Sequence, residues 1–374
     1  MANTYLTRTQ VAGNRQIFTQ SIWFKLTNTA DQVFISSYND ANNYNCFFLE
    51  SGNQVLQVLW KKSGSNAALL NTTRKFRDTS AWYHVVLAVD TTQGTAANRI
   101  KLYVNGVQET SFSTATYPNQ NESIEVNDNN TNQRIGALNT DTFFQGVASY
   151  VAQIDGTQEL PTVFGETDAT TGEWKIKTSI TPSVAWGNNG FLVLKDGNSL
   201  TDASPNSNNF TVAGGTLTKT EDCPSNVFAT MNPLALYHSS GGTLSNGNNS
   251  YVWSNYQINT RSTLGMPKGK FYWEQKCLGD EGSNRIGMCT SAFTNYIDTD
   301  STDAHYNSTG NGGIYLMMSA ASTSWQRTNN DTSKNVDTYT NATALATNNI
   351  IMNAVDVDAG KYWIGINGTW FYSG

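Results

Sequence analysis

Cysteine is scarce in this chain of 374 residues: there are four, Cys46, Cys223, Cys277 and Cys289. None forms a C-x-x-C pair and none lies close to a histidine, which argues against a zinc site or a redox dithiol and leaves isolated buried thiols. Charge is equally sparse. Only 14% of residues are charged, and 23 Lys and Arg against 29 Asp and Glu give a net charge of -6. A chain without a basic field is a poor partner for phosphate backbones or anionic lipid, so neither nucleic acid nor a membrane surface is expected as a partner. No run of about 18 apolar residues occurs, and MANTYLTRTQ has no basic segment leading into an apolar one, so the expectation is a soluble protein made in a cytoplasm, without membrane insertion. Long Leu/Glu/Lys/Ala helical patterns are nearly missing as well.

What fills the chain instead is aromatic residues at 11%, separated by Asn, Thr, Ser and Gly, a composition that predicts an all-β protein with many turns. The stretch from Trp82 to Gln108, WYHVVLAVDTTQGTAANRIKLYVNGVQ, organises the rest. Both parities from Trp82 to Val89 are largely apolar, as in a strand packed on two faces. Ile100, Leu102 and Val104 then face one way, with Arg99, Lys101 and Tyr103 on the other, which predicts a half-buried strand. Asn105-Gly106 between two extended runs predicts a type I′ turn, because both central residues of that turn need positive φ. Further strands are expected at Gln16 to Leu26, Val33 to Ser37, Tyr44 to Glu50, Gln54 to Trp60, Gln133 to Ala137 and Gly146 to Ile154.

The neighbouring W-Y-H-V strand and Y-V-N-G hairpin, with NRQIFTQSIWFKL (Asn14 to Leu26), FRDTSAWYHVV (Phe76 to Val86), FFQGVASYVAQIDG (Phe143 to Gly156) and FGETDATTGEWK (Phe164 to Lys175), resemble laminin G-like and pentraxin-like members of the concanavalin A-like lectin superfamily. The version they resemble is the one found in marine tailed-phage virion proteins. In the last third, GKFYWEQKCLG, NRIGMCTSAF, GGIYLMM and IIMNAVDVDAGKYWIGINGTWF resemble a SPRY-like sandwich, with Ile364 where Phe is common. That family continues for two or more strands beyond the point matching Gly374, so the expectation is a sandwich completed by another element or a longer native polypeptide. The resemblance implies two antiparallel β-sandwiches: a jelly-roll, concanavalin A-like one at residues 1–158 and a SPRY-like one at 241–374. Between them, residues 159–240, with Pro161, Pro182, Pro205, Pro224 and Pro233, read as an extended connector packed on its neighbours through Trp174, Trp186, Phe191 and Phe228.

Catalysis has little to stand on. The E-x-D-x-x-E run of glycosidases with this fold is missing, and Glu122, Glu125 and Asp128 do not share the one-face spacing of a strand, so a solvated loop is the expectation there. His84 lies inside the core strand and reads as a hydrogen-bonded structural histidine, and no nucleophile elbow is present. Asp298, Asp300 and Asp303 form the densest acidic run but lack the glycine and final Glu of a calcium loop. No metal and no cofactor is therefore expected.

Two loops remain as glycan-binding candidates: Tyr38, Asn39, Asp40, Asn42, Asn43 and Tyr44, and then Tyr296, Asp298, Asp300, His305, Tyr306 and Trp325. Sugars need flat apolar faces for C–H stacking together with fixed donors and acceptors, and both loops offer these. The same residues serve cores and turns just as well. The resemblance implies a non-enzymatic tail fibre, head fibre or decoration protein on a virion surface, made in the host cytoplasm. Its partners would be other virion proteins and a host surface polysaccharide or glycoprotein, and it would act as a homo-oligomer, trimers being frequent in fibres. A purely structural subunit clamping capsid or tail neighbours is the alternative, with a polysaccharide-degrading enzyme behind it.

Overall fold

The computed structural model describes residues 3–195, 199–235, 242–253, 260–279, 284–289, 313–318, 323–328, 339–341 and 346–371. Two compact units are present: Met1–Leu236 with Ser240–Ser254 and Thr260–Thr263, and Leu264–Gly374 with Tyr237–Ser239 and Asn255–Asn259. The described residues contain no α-helix, only three short 3-10 turns.

In chain order the strands of the first unit are β1 (Tyr5–Thr9), β2 (Ile17–Leu26), β3 (Gln32–Asp40), β4 (Asn43–Glu50), β5 (Val55–Lys62), β6 (Ser65–Lys75), β7 (Trp82–Asp90), β8 (Ile100–Val104), β9 (Val107–Glu109), β10 (Phe112–Thr116), β11 (Asn132–Ile135), β12 (Gly146–Asp155), β13 (Gly165–Thr167), β14 (Trp174–Ile176), β15 (Phe191–Val193), β16 (Thr211–Gly214), β17 (Gly242–Ser245) and β18 (Ser250–Trp253). Antiparallel pairing builds an eight-stranded sheet, β10-β6-β5-β4-β3-β11-β1-β16, and a six-stranded sheet, β15-β12-β2-β7-β8-β9. Their inner faces share one core, in which Phe18, Ile22 and Phe24 of β2, Phe34 of β3, Leu56, Val58 and Trp60 of β5 and Val85, Leu87 and Val89 of β7 are almost fully enclosed. The alternation seen in the sequence decides this, since residues two apart share a face.

The opposite face of β7 is also covered. Val86 and Ala88 join Trp23, Tyr103, Tyr150, Phe164 and Leu192 in a second cluster, with Trp174, Ile176, Ile180 and Trp186 packed against it. This extra layer explains why Tyr103, on the face of β8 expected to meet solvent, is only 7% exposed. Asn105 and Gly106 have φ of 47° and 79°, as the type I′ turn requires.

The segment between residues 159 and 214 is thus woven into the first sandwich. It supplies β15 as an edge strand paired with β12 and β16 as an edge strand paired with β1. Asp222 adds a buried ion pair to Lys25 of β2 at 2.9 Å, with side-chain exposures of 0% and 1%.

The second unit contains β19 (Lys270–Lys276), β20 (Asn284–Cys289), β21 (Gly313–Met318), β22 (Thr323–Thr328), β23 (Tyr339–Asn341), β24 (Ile350–Asp356), β25 (Lys361–Ile366) and β26 (Thr369–Trp370). They pair as two four-stranded antiparallel sheets, β19-β24-β25-β26 and β20-β21-β22-β23. Cys277, Ile351, Ile364 and Ile366 form a small core. Asn367 and Gly368, with φ of 49° and 85°, repeat the positive-φ turn between β25 and β26.

Candidate functional site

The β3–β4 hairpin carries the first group of candidates. Tyr38 and Tyr44 face each other across the two strands, and their half-buried rings stack at 5.9 Å with 23° between planes. The tip consumes its own polar groups. Asp40 accepts from the Asn42 amide at 2.7 Å and from Asn43 Nδ2 at 3.0 Å, while Asn43 Oδ1 accepts from the Ser63 amide at 3.0 Å. The Asn43 side chain, with the Asn42 amide behind it, holds the exposed Asp40 carboxyl below its ordinary value. Asn39 is exposed. Asp40 and Asn43 therefore maintain the turn, as such residues commonly do, and the surface left for a ligand is the tyrosine pair.

Register places a cation beside that pair. Tyr38 is opposite Asn132 and Tyr44, and in the next row of the same face Ser36 is opposite Arg134 and Cys46. The Arg134 guanidinium carbon stands 5.5 Å from the centre of the Tyr38 ring. Arg134 is 8% exposed, and its Nε and Nη1 have no hydrogen-bond partner. Burial draws the guanidinium below its ordinary pKa, with Tyr5 and Tyr38 opposing. Tyr5 in turn packs at 6.0 Å on Phe143. Tyr5, Tyr38, Tyr44, Phe143 and Arg134 thus form one aromatic and cationic patch on the outer face of the larger sheet. Arg134 escaped sequence reasoning because NQRI offers no sign that its arginine is enclosed.

The second group lies mostly beyond view: Tyr296, Asp298, Asp300, His305 and Tyr306 are outside the described residues. Trp325 is in β22, opposite Leu316 and Tyr339.

Among the acids, Glu122 pairs with Lys62, and Arg15 bridges Asp128 at 3.0 Å and Glu125 at 3.5 Å. Contrary to the expected solvated loop, Glu125 is 7% exposed and its Oε2 has no partner. Burial raises its carboxyl, and Arg15 opposes the rise. Among the described residues no three His, Cys, Asp or Glu side chains converge as metal ligands.

His84 is buried, stacked on Trp23 at 4.5 Å, and bonded at both nitrogens. Trp174 Nε1, which can only donate, lies 2.9 Å from His84 Nδ1. The proton is therefore on Nε2, which donates to Ser21 Oγ at 2.9 Å. Burial pulls the imidazole pKa down to about 3. A serine held this way faces a neutral histidine donor, the wrong polarity for a base.

A cavity of about 400 Å³ lies between Val147 and Leu194 on one side and Lys219, Glu221, Cys223 and Ser225 on the other. Its walls come from stretches 25 to 78 residues apart in sequence, which hides it from motif reading.

Residues 2–158 match the family model of the concanavalin A-like lectin/glucanases superfamily, laminin G type. That stretch is a laminin G-like domain, and the fold of the chain is all-β. Among solved structures, the chain is similar to mouse laminin α1 domains LG4-5, with 10% identity, 98% of this chain and 74% of that one covered, and a TM-score of 0.36. It is also similar to the heptameric SAP-like pentraxin of Limulus polyphemus, at 15% identity, 40% and 69% coverage and a TM-score of 0.31. Tailspike protein 2 of an Escherichia coli O157:H7 bacteriophage gives 10% identity and a TM-score of 0.31, over 43% of this chain and 22% of the tailspike. No curated protein matches the chain.

Proposed function

We propose that this chain is a non-enzymatic glycan-binding protein of a tailed-phage virion surface, a tail fibre, head fibre or decoration protein that recognises host polysaccharide. The observation that carries the reading is the stacked Tyr38–Tyr44 pair beside Arg134 on the outer face of a laminin G-like sandwich. Half-buried rings fixed by cross-strand pairing offer a sugar two apolar faces at small entropic cost, and neighbouring polar groups supply direction. The virion setting rests on the resemblance of the sequence phrases, as does a SPRY-like character for the second unit. Weak single sites would gain strength through many copies on one particle.

A glycan array probed with the purified full chain tests the reading. Binding to a bacterial surface polysaccharide, lost in Tyr38→Ala and Tyr44→Ala and unaccompanied by release of reducing ends, is the expected result. Silence on the array, together with particles that fall apart when the protein is deleted, would favour the structural subunit.

A further inference from the structure

Two arginines in adjacent strands of the larger sheet are buried to the same degree, both 8% exposed, and are treated oppositely. Arg8, on the inner face, donates from Nε to Gln133 Oε1 and from Nη2 to Asn189 Oδ1, each at 2.9 Å. Arg134, on the outer face, leaves Nε and Nη1 without an acceptor, and among the described residues no carboxylate pairs with it. The Tyr38 ring returns some of the lost hydration through its π face but accepts no hydrogen bond from those groups. Buried polar groups are almost always met, so an enclosed cation with unmet donors on two edges of its planar head calls for a missing acceptor.

We propose that Arg134 is the anion-reading centre of the glycan face, so that the preferred ligand is an acidic sugar carrying a carboxylate or a sulfate ester. The proposal rests on the Tyr38–Tyr44 pair being the glycan surface and adds the ligand's charge. Tyr38 touches both Tyr44 and Arg134, so a sugar ring seated on the pair brings its acidic substituent to the guanidinium. Tyr5 and Tyr38, the rings beside the guanidinium, are themselves half-buried. A ligand reaches the unmet N–H groups when the Tyr5 ring turns, with the Tyr38–Tyr44 pair and the strands left in place. A charge-assisted bond to an oxyanion then supplies what the free protein lacks.

The test is titration calorimetry on the full chain with oligogalacturonate, its methyl ester on the same backbone, and a sulfated galactan oligosaccharide with its desulfated counterpart. The free acid or the sulfated sugar should bind more tightly than its neutral partner, and which of the two does so identifies the source of the anion. Arg134→Gln should weaken binding of the anionic form about tenfold or more and that of the neutral form by a clearly smaller factor. Its thermal midpoint should stay level or rise, because an uncompensated buried charge is removed. Equal binding of charged and neutral sugars, or an Arg134→Gln protein that fails to fold, would overturn the assignment. If neutral sugars bind, depend on Tyr38 and ignore Arg134, the glycan face stands and the anion centre falls; if no sugar binds, both fall.

Discussion

The indole Nε1 of Trp174 donates a 2.9 Å hydrogen bond to Nδ1 of His84, and with that contact a residue from the second half of the first unit fixes the tautomer of a core histidine in β7. The imidazole lies between two indoles, Trp23 at 4.5 Å and Trp174 at 5.9 Å, with Ser21 taking its one proton. Everything about the site suits a neutral ring.

Acid should therefore loosen the fold through His84. Its pKa falls from 6.5 in the unfolded chain to about 3 in the folded one, so between those values the unfolded chain binds the extra proton and stability declines as pH drops. Urea unfolding followed from pH 7 to pH 4 should show this slope, and His84→Gln, which can still accept from Trp174 and donate to Ser21, should flatten it by up to about 1.4 kcal/mol per pH unit. Equal slopes in the two proteins would contradict the assignment of a neutral buried ring.

Trp174 fits where it does because two glycines make room. A Cβ on Gly106 would fall 2.4 Å from the indole and one on Gly165 would fall 2.6 Å from it, and Gly106 also needs φ of +79°. Gly106→Ala should destabilise the unit by about 2–4 kcal/mol, combining backbone strain with expulsion of the ring. Gly172, at φ +74° but with open space around its Cβ position, should tolerate Ala at a cost of only about 1 kcal/mol, being strained but not crowded. Chemical denaturation of the two variants separates the contributions.

The pair Lys25–Asp222 joins β2 to a residue 197 positions away. Asp222 also accepts from Trp82 Nε1 at 3.1 Å and from the Phe228 amide at 3.0 Å. Asp222→Ala strands a buried ammonium and should cost about 3–5 kcal/mol, whereas Lys25→Met with Asp222→Leu should recover most of it. A double-mutant cycle showing additive losses would mean the two charges act independently.

The strands with clean alternation, β2, β7 and β8, and the two Asn-Gly turns were legible because their local pattern and their tertiary role agree. β6 was not expected, although Ala68, Leu70 and Thr72 turn inward from it, because SNAALLNTTRK reads as a polar loop with a short apolar centre. The second layer on β7 was only half visible. Trp174 and Trp186 signalled docking, yet nothing local tells that Phe164, Trp174 and Ile180 converge on one sheet face across glycines and prolines. In the candidate site, Tyr38 and Tyr44 were legible as aromatics flanking a turn, and the turn's claim on Asp40 and Asn43 followed from their type. Arg134 was invisible, since its surroundings come from β1, β3 and the stretch around Phe143, and no charge pattern in sequence reveals a cation whose Nε and Nη1 are left unmet.

Binding of a sugar on the outer face of the larger sheet is the claim on which the functional account turns, and a crystal structure of the chain with an oligosaccharide that it captures from an array tests it most directly. The account predicts a sugar ring in van der Waals contact with Tyr38 or Tyr44, within hydrogen-bonding reach of Arg134. A sugar seated instead in the cavity beside Cys223 and Leu194, with the tyrosine pair bare, would contradict it.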